Sequence, residues 1–177
     1  MLLKDAKGKW VEDLEISEEL WKTIMQETLS GVIALTKSVE KLLSNGGDTA
    51  ISSGLYMYAV EEYGKLLLLK SYKATSGFVR IKYRSEFRSH TAKFETAVRT
   101  LPKECTTLHV GAFDRTFFDP AAFDTDEIAD CETRQAVFYS DFTMDGQYVK
   151  RTPTVEMDLL KKAVAQLKTI ALGTSIP

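Results

Sequence analysis

The chain is poor in the residues that most often announce a function. Its 177 residues include only two cysteines, Cys105 and Cys131, too few for a disulfide scaffold. It has two histidines, His90 and His109, which with Cys105 supply too few good ligands for a structural zinc. Four prolines and ten glycines exclude collagen-like and low-complexity chains. Long apolar runs are missing as well. Uncharged stretches in the first half are short, nine residues from Thr28 to Thr36 and twelve from Thr49 to Val60, against about twenty needed to span a bilayer. No transmembrane helix is expected, and Met1-Leu2-Leu3 followed by Lys4, Lys7 and Lys9 does not resemble a signal peptide, so the expected location is cytoplasmic. There is no Gly-rich phosphate loop, no G-x-S-x-G, no H-E-x-x-H and no C-x-x-C. No metal and no cofactor are expected.

What is present is ordinary globular material, 44% hydrophobic and 27% charged, at a length suited to one domain spanning 1–177. The net charge of -2 conceals an uneven distribution. From Glu61 to Lys103 there are four acidic and ten basic residues, whereas from Glu104 to Asp145 there are ten acidic residues against Arg115 and Arg134. The first stretch attracts phosphate and the second repels it; alternatively the two neutralise each other, within one molecule or across a dimer.

Apolar periodicity predicts four main helices and hence an all-α, four-helix-type bundle. The first, about 17–44, carries Trp21, Met25, Thr28, Val32, Leu35, Val39 and Leu42 on one stripe, with Ser17 as N-cap and Asn45-Gly46-Gly47 as its stop. The second, about 48–72, places Ile51, Leu55, Ala59, Glu62, Leu66 and Leu69 on a stripe whose one polar member is Glu62. Ser76-Gly77 breaks it. A third, about 83–100, aligns Tyr83, Phe87, His90, Phe94, Ala97 and Leu101, interrupted by His90 and ended by Pro102. The last, about 153–172, starts with Thr152 as N-cap and Pro153 at the first helical position, and stops at Gly173. Segment 101–152 reads as irregular. Phe113, Phe117, Phe118 and Phe123 among aspartates suggest a loop docked on the bundle, Glu127 to Ala136 a short helix, and Asp145-Gly146 the turn of a small hairpin between 137–142 and 148–150.

Chemistry is expected where a polar side chain interrupts an apolar stripe. Facing helices bring Glu62 and His90 to one seam, because a buried carboxylate needs a partner and an imidazole supplies one. Lys65 and Lys93 lie three residues further along their helices and lean over the same patch; Arg84 and Arg88 approach from the start of the third helix. The bland counterpart is a satisfied core histidine beside an ordinary Glu61–Lys65 helix pair. His109, Cys105, Cys131 and Tyr56-Met57-Tyr58 read as structural.

Ala59-Val60-Glu61-Glu62-Tyr63-Gly64-Lys65 and Phe87-Arg88-Ser89-His90-Thr91-Ala92-Lys93 resemble the E-E-x-G-K and F-x-x-H-x-x-K signatures of the AbiV family of bacterial abortive-infection proteins. Arg134 to Asp141, with Pro153 downstream, is similar to that family's arginine, tyrosine and aspartate region. The resemblance covers about 17–172. It implies a HEPN-like bundle, a phage-defence role and a homodimer, and many members of that superfamily are metal-independent ribonucleases with an Arg-x(4 to 6)-His motif, a spacing that Arg84 and His90 meet. On this resemblance His90 is the general acid/base, Glu62 orients its ring, Arg84 and Lys93 hold phosphate, and Lys65 and Arg88 bind flanking RNA backbone. The competing class is a non-catalytic binding module that captures a phage or host protein through the acidic Phe113–Asp126 segment, and a third is a small-ligand-binding bundle.

Overall fold

The computed structural model describes residues 13–87, 89–106, 109–110, 115–116, 141–142, 148–149 and 156–177, with Arg84, Ser85, Thr91, Thr106 and residues 109–110, 115–116, 141–142 and 148–149 described by backbone alone. Helix α1 spans Glu18–Ser44, begun by the Ser17 hydroxyl accepting from the Leu20 N–H and closed by Asn45, after which the Gly47 N–H donates to the Leu42 carbonyl at 2.8 Å. Helix α2 spans Thr49–Ser71, with the Asp48 carboxylate accepting from the N–H groups of Ala50 and Ile51. Helix α3 covers His90–Thr100, α4 is the short Lys103–Thr106 turn, and α5 covers Met157–Leu172. Packed together these make the expected all-α bundle.

The middle of the bundle is α2, which packs against α1, α3 and α5, while α1 and α4 also meet α5. Fourteen of its 23 residues are buried, which is why a single apolar stripe describes it poorly. Tyr56, Met57, Val60, Leu66 and Leu69 are fully enclosed with Met25, Val32, Val39, Phe94, Leu160 and Leu167 from its neighbours. Ile51, placed inward by periodicity, is instead exposed. On α1 the core takes Thr36 and Leu43, where the three-four spacing had pointed to Leu35 and Leu42. Buried polar atoms are provided for: the Trp21 indole N–H donates to the Leu69 carbonyl at 2.9 Å, and the Tyr56 hydroxyl donates to the Cys105 carbonyl at 2.8 Å.

Two small features of the sequence carried more structure than periodicity indicated. Strand β1, Leu14–Ser17, pairs antiparallel with β2, Phe78–Ile81, putting Ile16, Val79 and Ile81 into the core. The break at Ser76-Gly77 is a two-residue turn with φ of 54° and 83°, both in the left-handed region that suits a tight turn joining antiparallel segments. Thr75 and Phe78 exchange backbone hydrogen bonds across it.

The continuous third helix predicted over 83–100 does not form. Tyr83–Phe87 is instead one π-helical turn, with the Phe87 N–H donating to the Lys82 carbonyl. Ser89 is extended, and its hydroxyl accepts from the Ala92 N–H, starting a new helix at His90. A serine that can cap a helix competes with continuing one.

After α4 come β3, His109–Val110, paired with β4, Arg115–Thr116, and then β5, Asp141–Phe142, paired with β6, Tyr148–Val149. The second of these is the hairpin expected about Asp145-Gly146. The predicted 127–136 helix, the docked phenylalanines and the Thr152-Pro153 helix start lie outside the described residues. Described α5 begins at Met157 after Glu156, which makes no side-chain cap. No described helix is long and apolar enough to cross a membrane.

Candidate functional site

The site is built where α2 and α3 come closest. A Cβ added at Gly64 would lie 1.9 Å from the Lys93 carbonyl oxygen and 3.2 Å from the Ala97 methyl, so α3 rests on the bare backbone of Gly64. One turn before Gly64 on α2 stands Glu61. His90 and Lys93 are three apart on α3 and therefore share a face. Glu61 is only 4% exposed, and its Oε1 accepts from His90 Nδ1 at 2.6 Å and from Lys93 Nζ at 2.7 Å. Lys93 is 7% exposed, whereas half of the His90 side chain meets solvent.

This corrects the predicted pairing. Glu62 does not meet His90; it pairs with Lys65 at 3.1 Å, at the edge of the site. The Lys65 ammonium also sits 5.4 Å from the Phe87 ring centroid, a cation–π contact, and that ring stacks on Tyr83 at 6.1 Å. The two adjacent acids thus serve two clusters: Glu61 with His90 and Lys93 below, Glu62 with Lys65 and Phe87 beside it. Nor does Lys65 pair with Glu61 as the four-residue spacing implied. Lys93, expected to hold phosphate, has its ammonium committed to Glu61 inside the seam. The side chains of Arg84 and Arg88 lie outside the described residues.

Burial alone would push the Glu61 carboxyl up, but the hydrogen bond and charge of Lys93, followed by those of His90, outweigh it and hold the group below its ordinary range. Glu61 is therefore a carboxylate. Cys105 behaves as its sequence context suggested: burial pushes its thiol up to about 11, and it remains a small apolar filler. Tyr56 and Met57 are fully buried and Tyr58 is exposed. Among the described residues no group of three His, Cys, Asp or Glu side chains is placed to hold a metal ion.

One functional neighbour had no signal in the periodicity. The Tyr72 hydroxyl donates to Glu86 Oε2 at 2.6 Å and accepts from the Lys82 N–H at 3.2 Å, and Lys82 Nζ lies 3.1 Å from Glu86 Oε1. Burial raises the Tyr72 phenol, and the Glu86 carboxylate raises it further; Glu86 is itself burdened by burial yet lowered on balance by Tyr72 and Lys82. This knot ties the π-helical turn, which carries Arg84 and Phe87, to the end of α2. A tyrosine fourteen residues from its acid, across a turn, follows no helical spacing and could be found only in the fold.

Compared with known proteins, the chain matches no family model, no curated protein sequence and no solved structure.

Proposed function

We propose that this chain is a cytoplasmic phage-defence protein of AbiV type that acts as a homodimer and cleaves RNA without metal at His90. The observation that carries the reading is the His90 imidazole, half in solvent, braced from behind by a buried carboxylate. That arrangement suits proton transfer, because the carboxylate of Glu61 orients the ring and fixes which nitrogen faces it with a hydrogen.

In the proposed reaction His90 takes the proton of an RNA 2′-hydroxyl and the 2′ oxygen attacks the neighbouring phosphorus. The bond to the 5′ oxygen breaks, and that oxygen leaves with a proton, giving a 2′,3′-cyclic phosphate and a 5′-hydroxyl. The orienting role passes from Glu62 to Glu61. Lys65 stands beside the ring's cluster, and Arg84 and Arg88 keep the roles the sequence resemblance implies for them, at the phosphate and its flanking backbone. A symmetric dimer brings a second His90 to donate the leaving-group proton, since one histidine per chain is thin for two transfers.

The competing reading is a non-catalytic helical module that captures a phage or host protein. It draws on the burial of Glu61 and Lys93, a pair that locks the register of α3 on α2 whether or not chemistry follows. The two separate at His90→Ala. Because the ring is half exposed, the substitution is expected to leave the melting temperature nearly unchanged while RNA cleavage in EDTA falls by about a hundredfold or more, the usual weight of a general acid/base, and phage protection is lost. A folded His90→Ala protein that still cleaves RNA and still protects removes the catalytic reading.

A further inference from the structure

We propose that Lys93 is a positioning residue: by holding Glu61 as a buried carboxylate, it obliges the His90 ring to donate from Nδ1 and so leaves the lone pair of the neutral ring on Nε2. The inference rests on the ribonuclease reading for its consequence, but not for its test.

Glu61 Oε1 takes His90 Nδ1 at 2.6 Å and Lys93 Nζ at 2.7 Å. An ionised carboxylate can only accept, so the ring nitrogen that faces it must carry the hydrogen. A neutral imidazole with its hydrogen on Nδ1 has its lone pair on Nε2, across the ring from the buried contact, and half of this side chain meets solvent. That is the nitrogen a 2′-hydroxyl would meet.

Lys93 decides whether this state persists. A carboxylate 4% exposed that loses its ammonium has less to offset its burial, which favours its protonated form. Once protonated it donates to Nδ1, which moves the hydrogen of the neutral ring to Nε2. That hydrogen removes the base. Lys93 itself is 7% exposed, beneath the site, and reaches the carboxylate because its own backbone carbonyl seats on Gly64. Its effect on RNA is exerted through His90, and it makes no contact with substrate.

The test reads ring-nitrogen NMR shifts of 15N-histidine-labelled full-length protein. With two histidines in the chain, a His109→Gln variant assigns the His90 signals. The neutral ring of the unaltered protein is expected to show Nδ1–H and a bare Nε2, and Lys93→Arg, which keeps the charge, is expected to retain that pattern. Lys93→Met and the milder Lys93→Gln are expected to shift the hydrogen to Nε2. In metal-free RNA cleavage, Lys93→Met is expected to lower kcat by about tenfold or more with KM little changed, the signature of a group acting on the chemical step and not on binding. A protonated Nε2 in the unaltered protein overturns the proposal whether or not any variant folds. So does a bare Nε2 that survives in Lys93→Met, or a rise in KM with the ring pattern unchanged. Absence of RNA cleavage by the unaltered protein would count against the ribonuclease reading alone, and the spectra would still decide the role of Lys93.

Discussion

Glu61 and Glu62 are neighbours of the same type, yet their environments assign them different work. Glu61 is sealed in a seam with Lys93, and Glu62 makes a partly exposed helix pair with Lys65. Removing one partner of a buried ion pair leaves the other charge uncompensated and costs about 3 kcal/mol or more, whereas a partly exposed pair contributes about 0.5 kcal/mol or less. Glu61→Gln is therefore expected to lower the urea midpoint sharply at neutral pH and Glu62→Gln hardly at all. The pH dependence follows from the sign of the shift. A carboxyl held below its ordinary value of 4.5 stabilises the fold in full above that value and loses the contribution as pH falls through the lower folded value. The stability gap between the unaltered protein and Glu61→Gln is thus expected to narrow as unfolding is followed from neutral pH down past 4.5. A gap that persists unchanged in acid would show that the ionised state of Glu61 is not what stabilises the seam.

At the scale of elements, the closeness of α2 and α3 depends on one missing methyl group. A Cβ at Gly64 would stand 1.9 Å from a backbone carbonyl, and backbone cannot swing aside as a flexible side chain can. Gly64→Ala must push the helices apart, at a cost of about 1–3 kcal/mol from overpacking, toward the upper end because the atom met is backbone. The consequence reaches beyond stability. Separating the helices draws His90 and Lys93 away from Glu61, so the His90 ring-nitrogen signals are expected to lose the Nδ1–H pattern even where the protein stays folded. Thermal melts together with the ring spectrum check both parts, and an unchanged spectrum would mean that α3 is positioned by something other than this contact. The π-helical turn before α3 is held independently, by Tyr72 and Lys82 on Glu86, and keeps its own anchor when the seam is loosened.

Across the whole molecule, Tyr56 ties together three helices far apart along the chain. Its hydroxyl, fully buried on α2, reaches the Cys105 carbonyl of α4 at 2.8 Å and the Ala163 carbonyl of α5 at 3.3 Å. Burial, with a contribution from Cys105, pushes this phenol well above its ordinary value, so it remains a donor at any working pH. Tyr56→Phe removes the one donor shared by two enclosed carbonyls and is expected to cost about 1–3 kcal/mol, read as a lowered melting temperature with the proposed RNA cleavage unaffected below it. A melting temperature equal to that of the unaltered protein would place the strength of the α2–α4–α5 junction in apolar packing alone.

Helix limits were legible in the sequence wherever they depend on chemistry within a few residues. Ser17 caps, Asn45 and the glycines after it stop, Ser76-Gly77 turns, and the helix before Pro102 ends at Thr100. The neighbourhood of the site was legible too, because His90, Lys93 and an acid pair recur at spacings that place them near one seam. What the sequence could not decide was which acid faces inward. One residue along a helix turns a side chain by about 100°, and a helix enclosed on nearly all sides carries no polar face from which its rotation can be read. That rotation was decided by the contact of Gly64 with the Lys93 backbone, a fact of the tertiary structure. The Tyr72–Glu86 knot and the β1–β2 pairing were likewise decided there, since each joins segments whose separation along the chain follows no helical period.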